Sequence, residues 1–291
     1  MSSAMICTTC GTQYSSKQPL PPLCPICEDS RQYIPLTGQG WIGTEELQKQ
    51  SRIRIQPLIP PGPALSLTGS TGVEQRSGLN NRPGLYALQV EPKFALGNRA
   101  LLVVTKDGNI LWDCIPSINE EIIQFIQALG GLKAIAISHP HYYSNMNDWA
   151  AAFDCPVFLH KLDEQWVMRK GPRLHFWSGD QLQLTKEIRI VHTGGHFPGS
   201  SILEAPTLSK GGTVLCGDSL YVARSKKHIA VMYSYPNQIL LSREDFNTFE
   251  ERMSAVTFDT LYGAFDYQDL TLNARQIYEK SMQLYKAAYQ L

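Results

Sequence analysis

The chain has no surplus of either charge. Lys plus Arg and Asp plus Glu each number 26 across 291 residues, so no net field draws it toward nucleic acid or an anionic membrane. Its one local gathering of positive charge, Arg224-Ser225-Lys226-Lys227-His228, is short enough to read as a solvated turn. Also lacking are an apolar run long enough to span a bilayer and the charged-then-apolar start of an export signal. These absences predict a soluble, cytoplasmic protein that meets a small molecule, not a membrane, with nucleic acid disfavoured. Oligomeric state has no signature here. Nor is there a bias toward disorder: 43% hydrophobic and 10% aromatic residues are ordinary for a globular fold. The length suits one large α/β domain plus a small module.

What the chain does have is cysteine in a pattern. Four of its seven cysteines come early, as Cys7-Thr8-Thr9-Cys10-Gly11 and Cys24-Pro25-Ile26-Cys27. Each CxxC turn aims two sulfurs inward, and two such knuckles supply the tetrahedral thiolate set of zinc or, less often, iron. Gly11 suits a knuckle whose backbone needs positive φ. Disulfides would need an oxidising compartment, which nothing here indicates. With all four positions filled by protein there is no place for substrate, so the predicted role is structural, and in so short a segment the metal supplies the folding energy. Residues 1–36 resemble zinc ribbons and rubredoxin-like modules, with Tyr14 and Tyr33 placed to pack on the small core.

Residues 37–84 read as a linker holding a short helix, Thr44–Gln50 capped by Thr44, and a strand, Arg52–Ile55. From Gln56 to Gly84 the composition turns to Pro, Gly, Ser and Asn, either a spacer or a loop draped over a site. The main domain, 85–291, opens with strands Leu85–Val90, Ala100–Thr105 and Asn109–Cys114, the last two joined by the turn Lys106-Asp107-Gly108-Asn109. Ser117-Ile118-Asn119-Glu120 predicts a capping box for a helix with Ile122, Ile126 and Leu129 on its buried face, ended by Gly130-Gly131. Lys133–Ser138 (KAIAIS) then reads as a buried strand. Further strands are expected at Val157–His160, Ile188–His192, Ser201–Glu204, Thr213–Gly217, Ile229–Tyr233 and Phe258–Tyr262. Helices are expected at Asn147–Phe153, capped by Asn145 or Asn147, from Ser242 onward, and across Ala274, Tyr278 and Tyr285.

Chemistry gathers at three strand ends. His139-Pro140-His141 leaves the KAIAIS strand, and alternation in extended backbone lets both imidazoles face one side, as a first-row metal needs. Gly194-Gly195-His196-Phe197-Pro198-Gly199-Ser200 puts His196 in a glycine-rich loop. Leu215-Cys216-Gly217-Asp218 ends a third strand in a carboxylate, with Cys216 a buried apolar residue. A plain hydrogen-bonded pair is the competing reading of His139 and His141.

In this order, H-x-H, GGH-x-PGS and CGDS resemble the metallo-β-lactamase fold superfamily of metal-dependent hydrolases, over roughly the last two hundred residues. The resemblance implies an αββα sandwich and a metal held by His139, His141 and His196 with Asp218 beside them. It also marks departures. The superfamily's first motif continues to an Asp and a further His that hold a second metal, and here those places carry Tyr143 and Ser144. Leu261-Tyr262-Gly263-Ala264 stands where a late histidine is expected, so the site is mononuclear at most. Tyr143, Ser144, His192 and Tyr262 become candidates for contacts around the ligands. Asp113 falls where the superfamily has an acid closing its opening hairpin, or else faces solvent in a turn. His160 and His175 are read as non-ligands, and Trp166, Phe176 and Trp177 as packing or the mouth of a pocket.

Three neutral imidazoles would leave a fourth metal position for water and lower its pKa to about 7. The implied reaction is hydrolysis of an ester, thioester, amide or phosphoester. Asp218 would either orient that water or close the site as a fourth ligand. Tyr143 is a poor proton handler, since a phenol titrates near about 10. Two other readings are a catalytically degenerate fold member that binds a ligand or partner, and an RNA-processing hydrolase, against which the neutral charge stands. Zinc, iron and manganese all suit such ligands.

Overall fold

The computed structural model of the chain describes residues 4–60 and 83–290. Strands β1 (Met5–Cys7) and β2 (Gln13–Tyr14), helix α1 (Pro25–Glu28) and strand β3 (Trp41–Gly43) form the cysteine module, with strand order β2-β1-β3. Helix α2 (Thr44–Gln50) follows, but Gly43 is its cap residue; the Thr44 hydroxyl donates instead to the Ala4 carbonyl at 2.9 Å, tying the helix to the module. Strand β4 (Arg52–Ile59) runs four residues past the predicted Arg52–Ile55. Its Pro57 is tolerated because β4 is an edge strand with a register shift there. The part of the predicted linker at 61–82 lies outside the described residues.

Strands β5 (Gly84–Glu91), β6 (Arg99–Val104) and β7 (Ile110–Trp112) come next. Helix α3 (Glu120–Ala128), strand β8 (Ala134–Ala136), helix α4 (Met146–Phe153), and strands β9 (Val157–His160) and β10 (Leu174–Trp177) follow. The seven strands from β4 to β10 make one sheet in reverse chain order. The α3 cap is Asn119, whose side chain accepts the Ile122 N–H at 3.0 Å, and not Ser117: the box predicted from Ser117 is shifted by two residues.

A second sheet contains β11 (Gln181–Gln183), β12 (Arg189–His192), β13 (Ser201–Glu204) and β14 (Thr213–Leu215). Two small hairpins interrupt it, β15 (Tyr221–Val222) with β16 (Ile229–Ala230), and β17 (Met232–Ser234) with β18 (Ile239–Leu240). The single strand predicted at Ile229–Tyr233 is therefore divided between two hairpins. Helix α5 (Arg243–Ser254), strand β19 (Thr260–Tyr262), which pairs parallel with β14, and helix α6 (Ala274–Tyr289) complete the chain. Among the described residues no helix is long and apolar enough to cross a membrane.

Side-chain alternation turns these strands into layers. On β6, Leu101 and Val103 face the same core as Ile190, Leu203 and Leu215 of the second sheet, while Ala100 and Leu102 face the core holding Ile122, Ile126 and Trp149 of α3 and α4. On the second sheet Val191, Ile202 and Val214 turn the other way, against Phe246, Phe249 and Met253 of α5 and Tyr278 of α6. The architecture is a four-layer αββα sandwich, as the motifs implied. Each fully buried Leu, Ile or Phe in these layers contributes roughly 1.5–3 kcal/mol. The loops after β8, β12 and β14 leave one end of the sandwich, and the candidate site lies there.

Candidate metal centres

The cysteine module is assembled as a thiolate cage. Cys7, Cys10, Cys24 and Cys27 are all buried and none is disulfide-bonded. The Cys7 and Cys27 sulfurs are 3.6 Å apart and those of Cys10 and Cys24 3.7 Å. That is far longer than a disulfide of about 2.05 Å. It is close to the edge of a tetrahedron built on metal–sulfur distances of about 2.3 Å. The Tyr14 hydroxyl and the Gln39 amide each donate to a sulfur, Cys24 and Cys7 respectively, at 3.1 Å. Burial pushes the Cys10 thiol well above its ordinary value, so a cation is what would let four packed sulfurs ionise together.

At the end of the sandwich His139, His141, His196 and Asp218 each offer a ligand atom within 4.8 Å of the others, and all four are buried. His139 lies in extended backbone, and Pro140–Tyr142 make a single 3-10 turn that brings His141 back beside it. Gly217, at φ +51°, lets the chain after β14 pass over Ser138; a Cβ there would sit 2.4 Å from the Ser138 hydroxyl. Asp113, also at positive φ, is buried and accepts the Ser138 N–H at 2.7 Å, so it braces the histidine loop instead of facing solvent. Burial pushes the Asp113 carboxyl up to about 8.

Outer hydrogen bonds turn the His139 and His196 rings toward the centre. His196 Nδ1 is 2.8 Å from the Tyr233 carbonyl, which can only accept, so Nδ1 carries the proton and Nε2 presents a lone pair. His141 Nδ1 is 3.3 Å from that Nε2. His139 Nδ1 is 2.8 Å from the Ser138 hydroxyl, and its Nε2 is 3.3 Å from Asp218 Oδ2. Nε2 of both His139 and His141 is buried without a hydrogen-bond partner among the described residues. Burial pushes His139 down to about 4 and His196 well below its ordinary value. Burial alone would raise Asp218, but the close approach of the His139 and His141 imidazoles outweighs it and holds the carboxyl well below the usual range. Three imidazoles and a carboxylate, with His196 Nε2, His141 Nδ1 and the orphaned His139 Nε2 gathered around Asp218 Oδ2, fit a divalent cation.

The residues singled out around the ligands are placed differently from expectation. Tyr143 does not reach the centre: it is buried, its hydroxyl donating to the Asp163 carbonyl at 3.4 Å. Ser144 donates to the Gly11 carbonyl, bonding the histidine loop to the cysteine module. His192 bonds the Pro198 carbonyl at 2.7 Å and stacks on His160, bracing the glycine loop from behind without touching the ligand set. Tyr262 packs between the two sheets. Trp166 packs on Phe197, Trp177 on His160, and Phe176 beneath Lys161.

Other residues surround the site instead. The Tyr142 hydroxyl donates to Asp218 Oδ1 at 2.6 Å, and the Tyr235 hydroxyl to the Asp218 carbonyl at 2.9 Å. Arg31 of the cysteine module donates from Nε to the His196 carbonyl at 2.5 Å, and its guanidinium lies over Phe197 and Tyr233. Its neighbour Gln32 joins His141, His196, Asp218 and several tyrosines in lining a cleft of about 270 Å³ that opens onto the centre. Tyr142 directly follows His141 in the sequence, but a contact spanning 76 residues has no local signal there.

No family model matches this sequence. A curated relative, the uncharacterized protein YmaE of Bacillus subtilis (strain 168), is 36% identical over 261 residues, 89% of this chain and 88% of that one. Among solved structures, VMB-1 superposes with a TM-score of 0.53 at 12% identity, over 73% of this chain and 96% of that one. A metallo-beta-lactamase from Staphylococcus aureus subsp. aureus COL gives 0.51 at 13% identity, over 70% of this chain and 63% of that one.

Proposed function

We propose, from the premise that this chain belongs to the family of Bacillus subtilis YmaE and has the metallo-β-lactamase fold, that it is a hydrolase with one catalytic metal. The bond broken is an ester, thioester, amide or phosphoester. The observation that carries this reading is the convergence of three buried imidazoles and one carboxylate, with His139 Nε2 orphaned, at the floor of a cleft. His139 and His196 would hold the metal through the nitrogens opposite their bonds to Ser138 and the Tyr233 carbonyl, and His141 through the Nδ1 that faces His196. Asp218, one oxygen engaged by Tyr142, would offer Oδ2 as ligand or as acceptor for an attacking water. A divalent cation bound there supplies a nucleophile from water at neutral pH and polarises the bond under attack.

The chain's own groups set limits on the rest of the chemistry. Tyr142 and Tyr235 have their phenols pushed well above the ordinary value by burial and by Asp218, so both act as hydrogen-bond donors and not as bases. Asp218, held as a carboxylate, is the group near the ligands placed to accept a hydrogen bond from an attacking water. Zinc suits the four-cysteine module, whereas zinc, iron or manganese suits the histidine site. The contacts of Tyr143 and Ser144 with core and cysteine module support a mononuclear site, since neither is free for a second ion. The same contacts favour, as a second reading, a fold member that has kept ligand binding and lost turnover.

The test is hydrolysis of a panel of simple esters, thioesters, amides and phosphoesters by the full chain supplied with zinc, iron or manganese. Metal-dependent turnover abolished by His196→Ala supports the hydrolase. Turnover indifferent to both metal and His196→Ala would overturn it, and no turnover by a metal-loaded protein favours the second reading.

A further inference from the structure

We propose that the cleft selects a small, uncharged, aromatic ester or lactone, with Gln32 of the cysteine module as the specificity-determining donor. The proposal rests on the hydrolase reading and names its substrate class. Apart from Asp218, no acidic or basic side chain other than the site histidines lines the cleft among the described residues; its wall is Tyr142, Tyr221, Tyr235, Phe265 and Tyr267 with small apolar neighbours. The rings already pack on one another, Tyr221 against Tyr235 at 4.9 Å and Phe265 against Tyr267 at 6.1 Å between centroids, leaving a firm aromatic surface.

The phenol hydrogens are largely spent. Tyr142 and Tyr235 donate to Asp218, and the Tyr221 and Tyr267 hydroxyls bond each other at 2.6 Å, so that pair retains one hydrogen between them. Gln32 has its amide oxygen engaged by the Tyr33 N–H at 3.1 Å, while its Nε2 has no partner among the described residues. The cleft therefore offers a ligand about two donors and much π surface. Beyond any oxygen that reaches the metal, a phosphate or a polyhydroxylated group entering it would leave its remaining oxygens desolvated with few donors to pair them. An aromatic ring with a single carbonyl would not. The volume of about 270 Å³ falls below the roughly 300–1,000 Å³ typical of pockets for drug-sized ligands, which excludes full enclosure of a bulky carrier thioester.

Two measurements on the full chain separate this inference from the reading beneath it. Binding of benzamide, a neutral aromatic amide, is followed by calorimetry for the parent chain, Gln32→Leu and Phe265→Ala, with circular dichroism confirming that each variant is folded. Initial rates are compared for phenyl acetate, p-nitrophenyl phosphate and acetyl-coenzyme A. The inference expects benzamide to bind, each substitution to weaken it at least about tenfold, and phenyl acetate to be turned over at least about tenfold faster than the other two. Preference for the phosphoester or the coenzyme A thioester, or benzamide binding that is absent or unaffected by both substitutions, overturns the inference and leaves the hydrolase intact. Benzamide binding that both substitutions weaken, without turnover of any substrate by the metal-loaded chain, supports the cleft's selectivity and favours the ligand-binding reading over the hydrolase.

Discussion

At the scale of single residues, the site depends on groups that hold the ligands in place. Tyr142→Phe removes the hydrogen bond to Asp218 Oδ1, leaving a buried carboxylate oxygen unpaired. Loss of such outer contacts typically weakens metal affinity about 10–100-fold, so chelator competition should show that loss at the histidine site and none at the cysteine site. Gly217→Ala forces a side chain into positive φ and against Ser138, and should lower thermal stability by about 2 kcal/mol or more. Asp163 offers a pH test. Burial pushes its carboxyl up to about 7, against the partial relief of the Gly199 N–H. An unperturbed Asp titrates near about 3.9. The folded state thus holds the proton more tightly than the unfolded chain, a contribution complete below about pH 4 and lost as pH rises to about 7. Asp163→Asn keeps an acceptor for Gly199 without the charge, so denaturant titrations should find it matched to the parent at pH 4 and more stable at pH 8. Equal stability at both would contradict the shift.

At the scale of elements, strands and ligand-bearing loops were legible in the sequence because both follow from local pattern. Val157–His160 and the strand ends at His139, His196 and Asp218 came from apolar runs stopped by glycine or proline, and the structure places them so. What was not legible involved partners distant in the chain. Thr44 was read as a cap because its own neighbourhood suits one, yet its hydroxyl goes to Ala4. Tyr143 was singled out by its place in a motif, yet Tyr142 points at Asp218, since the 3-10 turn rotates successive side chains apart. Gln56 to Gly84 read by composition as a spacer or as a loop draped over a site, although its first residues continue an edge strand whose pairing decides their conformation. The cysteine module is the element most open to test. Cys7→Ser should cost one metal per chain and, because Arg31 and Gln32 follow closely on Cys27, release their grip on the His196 loop and the cleft. Hydrogen exchange would show this as lost protection in both β1–β3 and the loop after β12.

At the scale of the whole molecule, two metal-ready centres share one interface. The cysteine module meets the sandwich through Arg31 on Phe197 and Tyr233, the bond from Asn237 to the Gln32 carbonyl at 3.0 Å, and Ser144 on Gly11. The sandwich was foreseeable from three ordered motifs, but the module's position at the mouth of the cleft was not, because no periodicity records a contact between separate units. The central claim is that the imidazoles of His139, His141 and His196 with Asp218 form a real metal site in addition to the cysteine cage. Metal content per chain, measured by elemental analysis of the purified protein and its His139→Ala/His196→Ala variant, tests it most directly. Two metals in the parent and one in the folded variant are predicted; the same metal content in both would contradict the account.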